Sequence, residues 1–160
     1  MGKTSTKEAL ALVLGRQGMT SATQGNLNNQ WGLPLSLARM PAEARYGVFE
    51  MGMNHPGEID MLSRLARPAI AIITNVDAVH LKYFQSESAI AAAKAEIFVG
   101  MNTNGIAILN RDNAYFKQLR DAALAANVTD IRTFGTHADA TSRLIDADVQ
   151  GSHSDVAAQI

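Results

Sequence analysis

Cysteine is absent from these 160 residues, which excludes zinc–thiolate centres, iron–sulfur clusters and thiol nucleophiles. It says little about compartment, since many secreted proteins lack cysteine too. An excess of charge of either sign is also missing: 14 Lys+Arg face 15 Asp+Glu, giving a net charge of -1 and a pI near 6.4. No polyanion-binding surface is implied, and no nucleic-acid partner is expected. Long apolar runs are lacking as well. The longest, Ala9 to Leu14, falls far short of the roughly 20 residues of a membrane span, and the first residues have no signal-peptide layout. A soluble, cytoplasmic protein without a membrane span is the expectation. What is there suits one ordinary domain: 47% of residues are hydrophobic and 18% charged, and a chain of this size needs neither disulfides nor a structural metal to fold.

Apolar periodicity switches repeatedly between helical and extended, the pattern of strands joined by helical crossovers. Strands are predicted at Tyr46 to Met51, Ala69 to Asn75, Gly105 to Asn110 and, more weakly, Ile131 to Phe134. AIAIITN and GIAILN are almost wholly apolar rather than alternating, as central parallel strands covered on both faces must be. Helices are predicted over Thr4 to Gln17, Gly57 to Ala66, and Ser86 to Val99, the last between a Ser cap and Gly100. A fourth runs from a cap at Asp112 to about Asn127. Residues 138–160 are more polar, and LIDADVQ-GSHS-DVAAQI reads as two extended segments about a turn, an antiparallel hairpin on the sheet edge. The class is α/β: a mostly parallel, Rossmann-like sheet flanked by helices, with an α/β core over 1–137 and the hairpin over 138–160. Both ends look unfinished, so a fragment is expected.

Gly2-Lys3-Thr4-Ser5 opens the first helix and corresponds to the end of a phosphate loop, G-x-x-x-x-G-K-[ST]. There, backbone N–H groups and the helix N-terminus hold phosphates, Lys bridges them and the hydroxyl binds Mg²⁺. A helix start with a hydroxyl-rich first turn is the other reading. Ligands of open parallel sheets bind beyond the C-terminal strand ends, where Glu50, Thr74, Asn75, Asn110 and Asp112 fall, with His80 shortly after. Glu50 shares the face of Val48 and Tyr46 by two-residue alternation, an unusual place for a lone acid. A carboxylate and an imidazole converging on a phosphate site can hold Mg²⁺ or order its waters, so Glu50 and His80 are read as functional. Asn75 and Asn110 also suit turns, and Asp112 suits an N-cap. Lys94 lies on the apolar stripe of its helix with Ile90, Ile97 and Phe98. It either snorkels to water or is partly buried, with a lowered pKa and raised nucleophilicity. TQGNLNNQWGLPLSL is a loop before a short helix, and its asparagines either meet phosphate or sugar groups or close turns.

Taken together these stretches resemble the Mur ligases, over nearly the whole chain. Gly2-Lys3-Thr4-Ser5 is similar to the end of the family's ATP loop, T-G-S-x-G-K-T-S, and Thr23-Gln24-Gly25-Asn26-Leu27-Asn28-Asn29 with Gly32 and Pro34 to its T-x-G-N-x-N-N-x-x-G-x-P loop. Glu50-Met51-Gly52 with Asn54-His55-Pro56-Gly57-Glu58-Ile59 resembles E-x-G-x-N-H-x-G-E-I, typical of the member type that adds D-alanyl-D-alanine. Thr74-Asn75 with His80-Leu81, Ala93-Lys94-Ala95-Glu96-Ile97-Phe98, and Leu109-Asn110-Arg111-Asp112 follow in order. Trp31, Lys82 and Gln85 depart from the aliphatic, acidic and glycine residues of the pattern.

The resemblance implies the central ATP-binding domain of a ligase of peptidoglycan synthesis. ATP would phosphorylate the terminal carboxylate of UDP-N-acetylmuramoyl-tripeptide, and the amine of D-alanyl-D-alanine would attack the acyl phosphate. It implies that Lys3 contacts phosphates, that Gly2, Ser5, Asn26 and Asn110 join the nucleotide site, and that Thr4, Glu50 and His80 serve Mg²⁺. It further implies that Lys94 becomes a carbamate holding a second Mg²⁺, with Lys94, Lys3 and His80 the catalytic set. The N-terminal UDP-sugar domain, the C-terminal domain and the front of the ATP loop would then be partners outside these residues, and the isolated chain inactive. Folylpolyglutamate and cyanophycin synthetases share the ATP loop and the lysine, but N-H-P-G-E-I argues against both. A non-catalytic nucleotide-binding remnant, or a Rossmann-like domain of unknown ligand, are the remaining alternatives.

Overall fold

The computed structural model describes residues 2–77, 83–151 and 153–160. Helix α1 (Lys3–Gly15) opens the fold, and strand β1 (Thr20–Ala22) follows it. After α2 (Gly32–Ala38) come β2 (Tyr46–Val48), α3 (Glu58–Ala66), β3 (Ile70–Ile73) and α4 (Glu87–Ala95). A 3₁₀ turn (Glu96–Gly100) then leads to β4 (Ile106–Asn110), α5 (Phe116–Ala125), β5 (Asp130–Gly135), β6 (Ser142–Val149) and β7 (Ser154–Gln159).

β1 and β2 pair in parallel, Ala22 opposite Val48. The larger sheet has the order β3-β4-β5-β6-β7, parallel from β3 to β6 and antiparallel only between β6 and β7. The expected α/β layout with a terminal hairpin on the sheet edge is therefore the one observed. The strands expected at β3 and β4 are there, and Ala71, Ile73, Ala107 and Leu109 are buried and pack with Ile90, Phe98, Leu119 and Val128 into the main core. The expected full cover on both faces is not, since burial alternates along each strand and Ile70 is 54% exposed. A smaller core joins Leu33 of α2 to Ile59 and Leu62 of α3. Burying Leu, Ile or Phe side chains of this kind stabilises by roughly 2 kcal/mol each.

Four expectations need correction. The strand expected over Tyr46 to Met51 ends at Val48, and beyond it the chain turns so that Thr23 N–H bonds Val48 O and Gly52 N–H bonds Asn28 O. The helix expected over Ser86 to Val99 tightens into 3₁₀ geometry at Glu96, whose carboxylate accepts from the N–H groups of Gly57 and Asp60 at the start of α3. Asp112 caps nothing: α5 starts at Phe116, and the Asp112 carboxylate accepts from Thr136 N–H at 2.6 Å, Thr136 Oγ1 at 3.0 Å and His137 N–H at 2.9 Å. β1 was not expected at all, since Thr-Ser-Ala carries no apolar alternation. Ser86 does cap α4, its Oγ accepting from Ala89 N–H at 3.1 Å. Among the described residues no helix is long and apolar enough to cross a membrane.

Candidate functional site at the C-terminal strand ends

Gly2 precedes α1 in the left-handed region, φ +85°, a conformation glycine adopts without the penalty of a side chain. It stands beside Thr74 at the end of β3: a Cβ on Gly2 would lie 3.9 Å from Thr74 Cβ. The first turn of α1 holds no acid, so its N-terminal partial positive charge is left for an anion. Lys3, Thr4 and Ser5 in that turn are all exposed.

Glu50 is only 7% exposed, beyond the end of β2. Its two oxygens are divided between elements: Thr4 Oγ1 donates to Oε2 at 2.8 Å and Asn28 Nδ2 to Oε1 at 2.8 Å. Its own N–H donates to Thr23 Oγ1 at 3.1 Å. A buried carboxylate is costly unless it is hydrogen-bonded or meets a cation, and among the described residues no Lys, Arg or His ion-pairs with Glu50.

Lys94 is half-buried, and its Nζ donates to Asn75 O at 2.7 Å just past β3. Burial, aided by the like charge of Lys3, pulls its ammonium below the ordinary lysine range, while Asp77 pulls the other way. Asparagines knit the floor. Asn75 Nδ2 donates to Asp77 at 3.2 Å, Asn113 Nδ2 to Asn75 Oδ1 and to Val76 O, and Asn110 Nδ2 to Thr74 O at 3.2 Å. Beyond Asn110 a cleft of about 380 Å³ opens between the ends of β4, β5 and β6, lined among others by Phe134, Gly135, Ser142 and Arg143.

The fold thus brings Thr4 onto Glu50 directly, while Lys94 is held at the end of β3 through Asn75 O. Asn110 sits on the same strand-end floor as Lys94. Asn26 does not reach Glu50; it is exposed, its carbonyl accepting from Asn28 N–H, and Asn28 makes the contact. His80, with Lys82, lies outside the described residues. Sequence reasoning quoted Thr23 and Asn28 only within their loop motif, without a role of their own, and passed over Lys7; the contact that singles out Asn28 forms where the asparagine-rich loop folds against the buried acid.

A hydroxyl and a carboxylate held 2.8 Å apart beside a helix N-terminus form the hard-oxygen pair Mg²⁺ takes from a protein when phosphates and water complete its shell. Among the described residues no group of three His, Asp or Glu gathers. A lysine whose pKa is lowered by burial has more of its neutral, nucleophilic amine available.

A profile of the family described as the Mur ligase middle domain matches residues 1–160. The chain is 41% identical over 145 residues to UDP-N-acetylmuramoyl-tripeptide--D-alanyl-D-alanine ligase of Rickettsia prowazekii, covering 91% of this chain and 32% of that protein. Its backbone superposes on MurF from Acinetobacter baumannii with a TM-score of 0.91 and 32% identity, over 99% of this chain and 34% of that one. MurF ligase from Thermotoga maritima, solved in complex with ADP, gives a TM-score of 0.85 and 30% identity over 98% and 35%. The chain spans about a third of the length of the relatives it matches.

Proposed function

The chain belongs to the Mur ligase family, whose middle-domain profile it fills, and from that premise we propose that it supplies the ATP- and Mg²⁺-binding part of an amide-bond ligase of peptidoglycan synthesis. The reaction is addition of D-alanyl-D-alanine to UDP-N-acetylmuramoyl-tripeptide, as the names of its relatives indicate. Residues 1–137 are the α/β core of that domain and 138–160 its edge hairpin. The UDP-sugar and C-terminal domains of the enzyme, working in the cytoplasm, are its partners.

In this reading a carboxylate oxygen of the tripeptide attacks the γ-phosphorus of ATP and ADP departs. The free amine of D-alanyl-D-alanine then displaces phosphate from the acyl phosphate, giving the amide. Such phosphoryl transfer depends on positioning and on cations that offset developing charge. Gly2, Lys3 and Ser5 at the start of α1 hold the phosphates, with the Lys3 ammonium against the transferring group. Asn110 and Asn26 contribute polar contacts on either side. Thr4 and Glu50 would hold one Mg²⁺, and His80 and a carbamylated Lys94 a second; the ions would neutralise the phosphate oxygens. Lys94, Lys3 and His80 form the catalytic set.

The observation that carries the reading is the Thr4–Glu50 hydrogen bond at the N-terminus of α1. Calorimetric titration of Mg²⁺–ATP into the chain and its Lys3→Ala variant tests it. Binding that weakens at least about tenfold on losing the phosphate-facing cation is expected. Equal binding by the two proteins, or no heat with either, overturns the reading in favour of a non-catalytic remnant.

A further inference from the structure

Six polar or charged residues are buried among the described residues, and three of them, Lys7, Thr23 and Glu50, form one chain of contacts. Lys7 is 4% exposed. Its Nζ donates to Thr23 O at 2.7 Å and meets Glu8 Oε1 at 2.7 Å, the Glu8 side chain being mostly in solvent. Burying an ammonium is expensive without such partners, yet no step proposed above uses it.

The contacts close into a ring. Thr4 and Lys7 are three apart on α1, hence on one face. Thr4 bonds the Glu50 carboxylate, Glu50 N–H bonds the Thr23 hydroxyl, and the Thr23 carbonyl takes Lys7, which returns the ring to α1. Thr23 N–H is anchored to Val48 O, so the ring ties the start of the asparagine-rich loop to β2 and to the phosphate-facing helix together. Asn28, on that loop, completes the hold on Glu50.

We propose that Lys7 is a positioning residue: its ammonium fixes the Thr23–Asn29 loop on α1 and thereby aims the Glu50 carboxylate at the metal site. The function of the aimed carboxylate rests on the ligase reading; the ring itself does not. Without the ammonium, the Thr23 carbonyl loses its buried donor and the loop is free to lift, taking Asn28 off Glu50.

Amide hydrogen exchange and side-chain NMR on the chain test this without nucleotide. In Lys7→Met, exchange at Glu50 N–H should quicken by about tenfold or more, while Ala107 and Leu109 in β4 change by less than about twofold. The Glu50 Cδ and Asn28 Nδ2 resonances should move with it. Glu8→Gln, which removes only the exposed ion-pair partner, should leave all of these in place. Unchanged Glu50 and Asn28 signals in Lys7→Met, loosening spread evenly through β4, or the same effect in Glu8→Gln each overturn the proposal. Should Lys7→Met not fold, the unaltered chain decides: slowly exchanging Lys7 Nζ protons coupled to the Thr23 carbonyl support the ring, and their absence overturns it. A failed Mg²⁺–ATP titration beside a confirmed ring would remove the ligase reading and leave the positioning role.

Discussion

Thr4 and Glu50, 46 positions apart, meet through a 2.8 Å hydrogen bond in which the hydroxyl of the first helical turn donates to a buried carboxylate beyond β2. That bond fixes the distance between the first turn of α1 and the acid. In the proposed reading Thr4 and Glu50 are the residues that would hold a magnesium ion, and the ion would supply positive charge against the phosphate oxygens while the hydroxyl keeps its proton.

Glu50→Gln keeps the shape and removes the charge. Mn²⁺ affinity, followed by electron paramagnetic resonance of the free ion, should fall at least about tenfold, because a neutral amide is a poor ligand for a hard cation. The midpoint of thermal unfolding should not drop, since the variant also removes a buried charge that no basic side chain offsets among the described residues. A Glu50→Gln protein that binds Mn²⁺ as the unaltered chain does would place the metal elsewhere.

Lys94 offers a pH test. Its folded pKa lies below the ordinary 10.5 because of burial and Lys3, so between the two values the unfolded chain binds more protons, and stability rises with pH across that window. Below the folded value the charged amine is buried at a cost. In ¹³C-bicarbonate NMR, carbamate on Lys94 should form at lower pH than on exposed Lys117 and vanish in Lys94→Arg. Carbamate appearing on both lysines together would show that burial does not select Lys94.

Asp112 behaves in the opposite sense. Its carboxyl sits below the usual carboxylate range, held chiefly by the backbone N–H of Thr136, then by that of His137 and the Thr136 hydroxyl. Its stabilisation is therefore present above the ordinary value of 3.8 and lost as pH falls through the lowered folded value. Asp112→Asn should lower stability by about 1 kcal/mol at neutral pH, a modest figure because the group is exposed to solvent, and should flatten the acid limb of a pH–stability profile. Gly135 guards the same contact. Its φ of +147° disfavours any side chain, and a Cβ there would lie 2.6 Å from Asp112 Oδ1.

Legibility in the sequence followed the range of the interaction. β3 and β4 could be read because short apolar runs between helical stretches mark strands, although one face of each is only partly covered, and Lys94 stood out because a charge on an apolar stripe contradicts its own periodicity. Thr4 and Glu50 could be picked separately by residue type and by position at a strand end. That they touch depends on the crossing of α1 over the end of β2, which no local pattern encodes. Asp112 was misread for the same reason: capping rules look three residues ahead, and its partners are 24 and 25 residues away. Lys7 gave no signal at all, since a lysine in a helix interior is ordinary until the Thr23 loop covers it.

Gly32 shows how one backbone contact reaches the surroundings of Glu50. It begins α2, and Asn29 Oδ1 accepts from its N–H at 2.9 Å and from Trp31 N–H at 3.1 Å, so the turn from Asn28 into the helix is tightly folded. A Cβ on Gly32 would press into the backbone of Leu27, 2.6 Å from its carbonyl oxygen, and a main chain cannot swing aside as a flexible side chain can. Gly32→Ala must therefore push Leu27 and Asn28 outward or shift α2, whose Leu33 is wholly buried. Overpacking of this kind costs roughly 1–3 kcal/mol. Because Asn28 bonds Glu50, part of that cost should appear at the site: weaker Mn²⁺ binding and a displaced Asn28 side-chain amide resonance, with the signals of β5 to β7 unmoved. If Gly32→Ala lowered stability while leaving the Asn28 resonance and Mn²⁺ affinity untouched, the loop would be shown to hold Glu50 independently of its anchorage to α2.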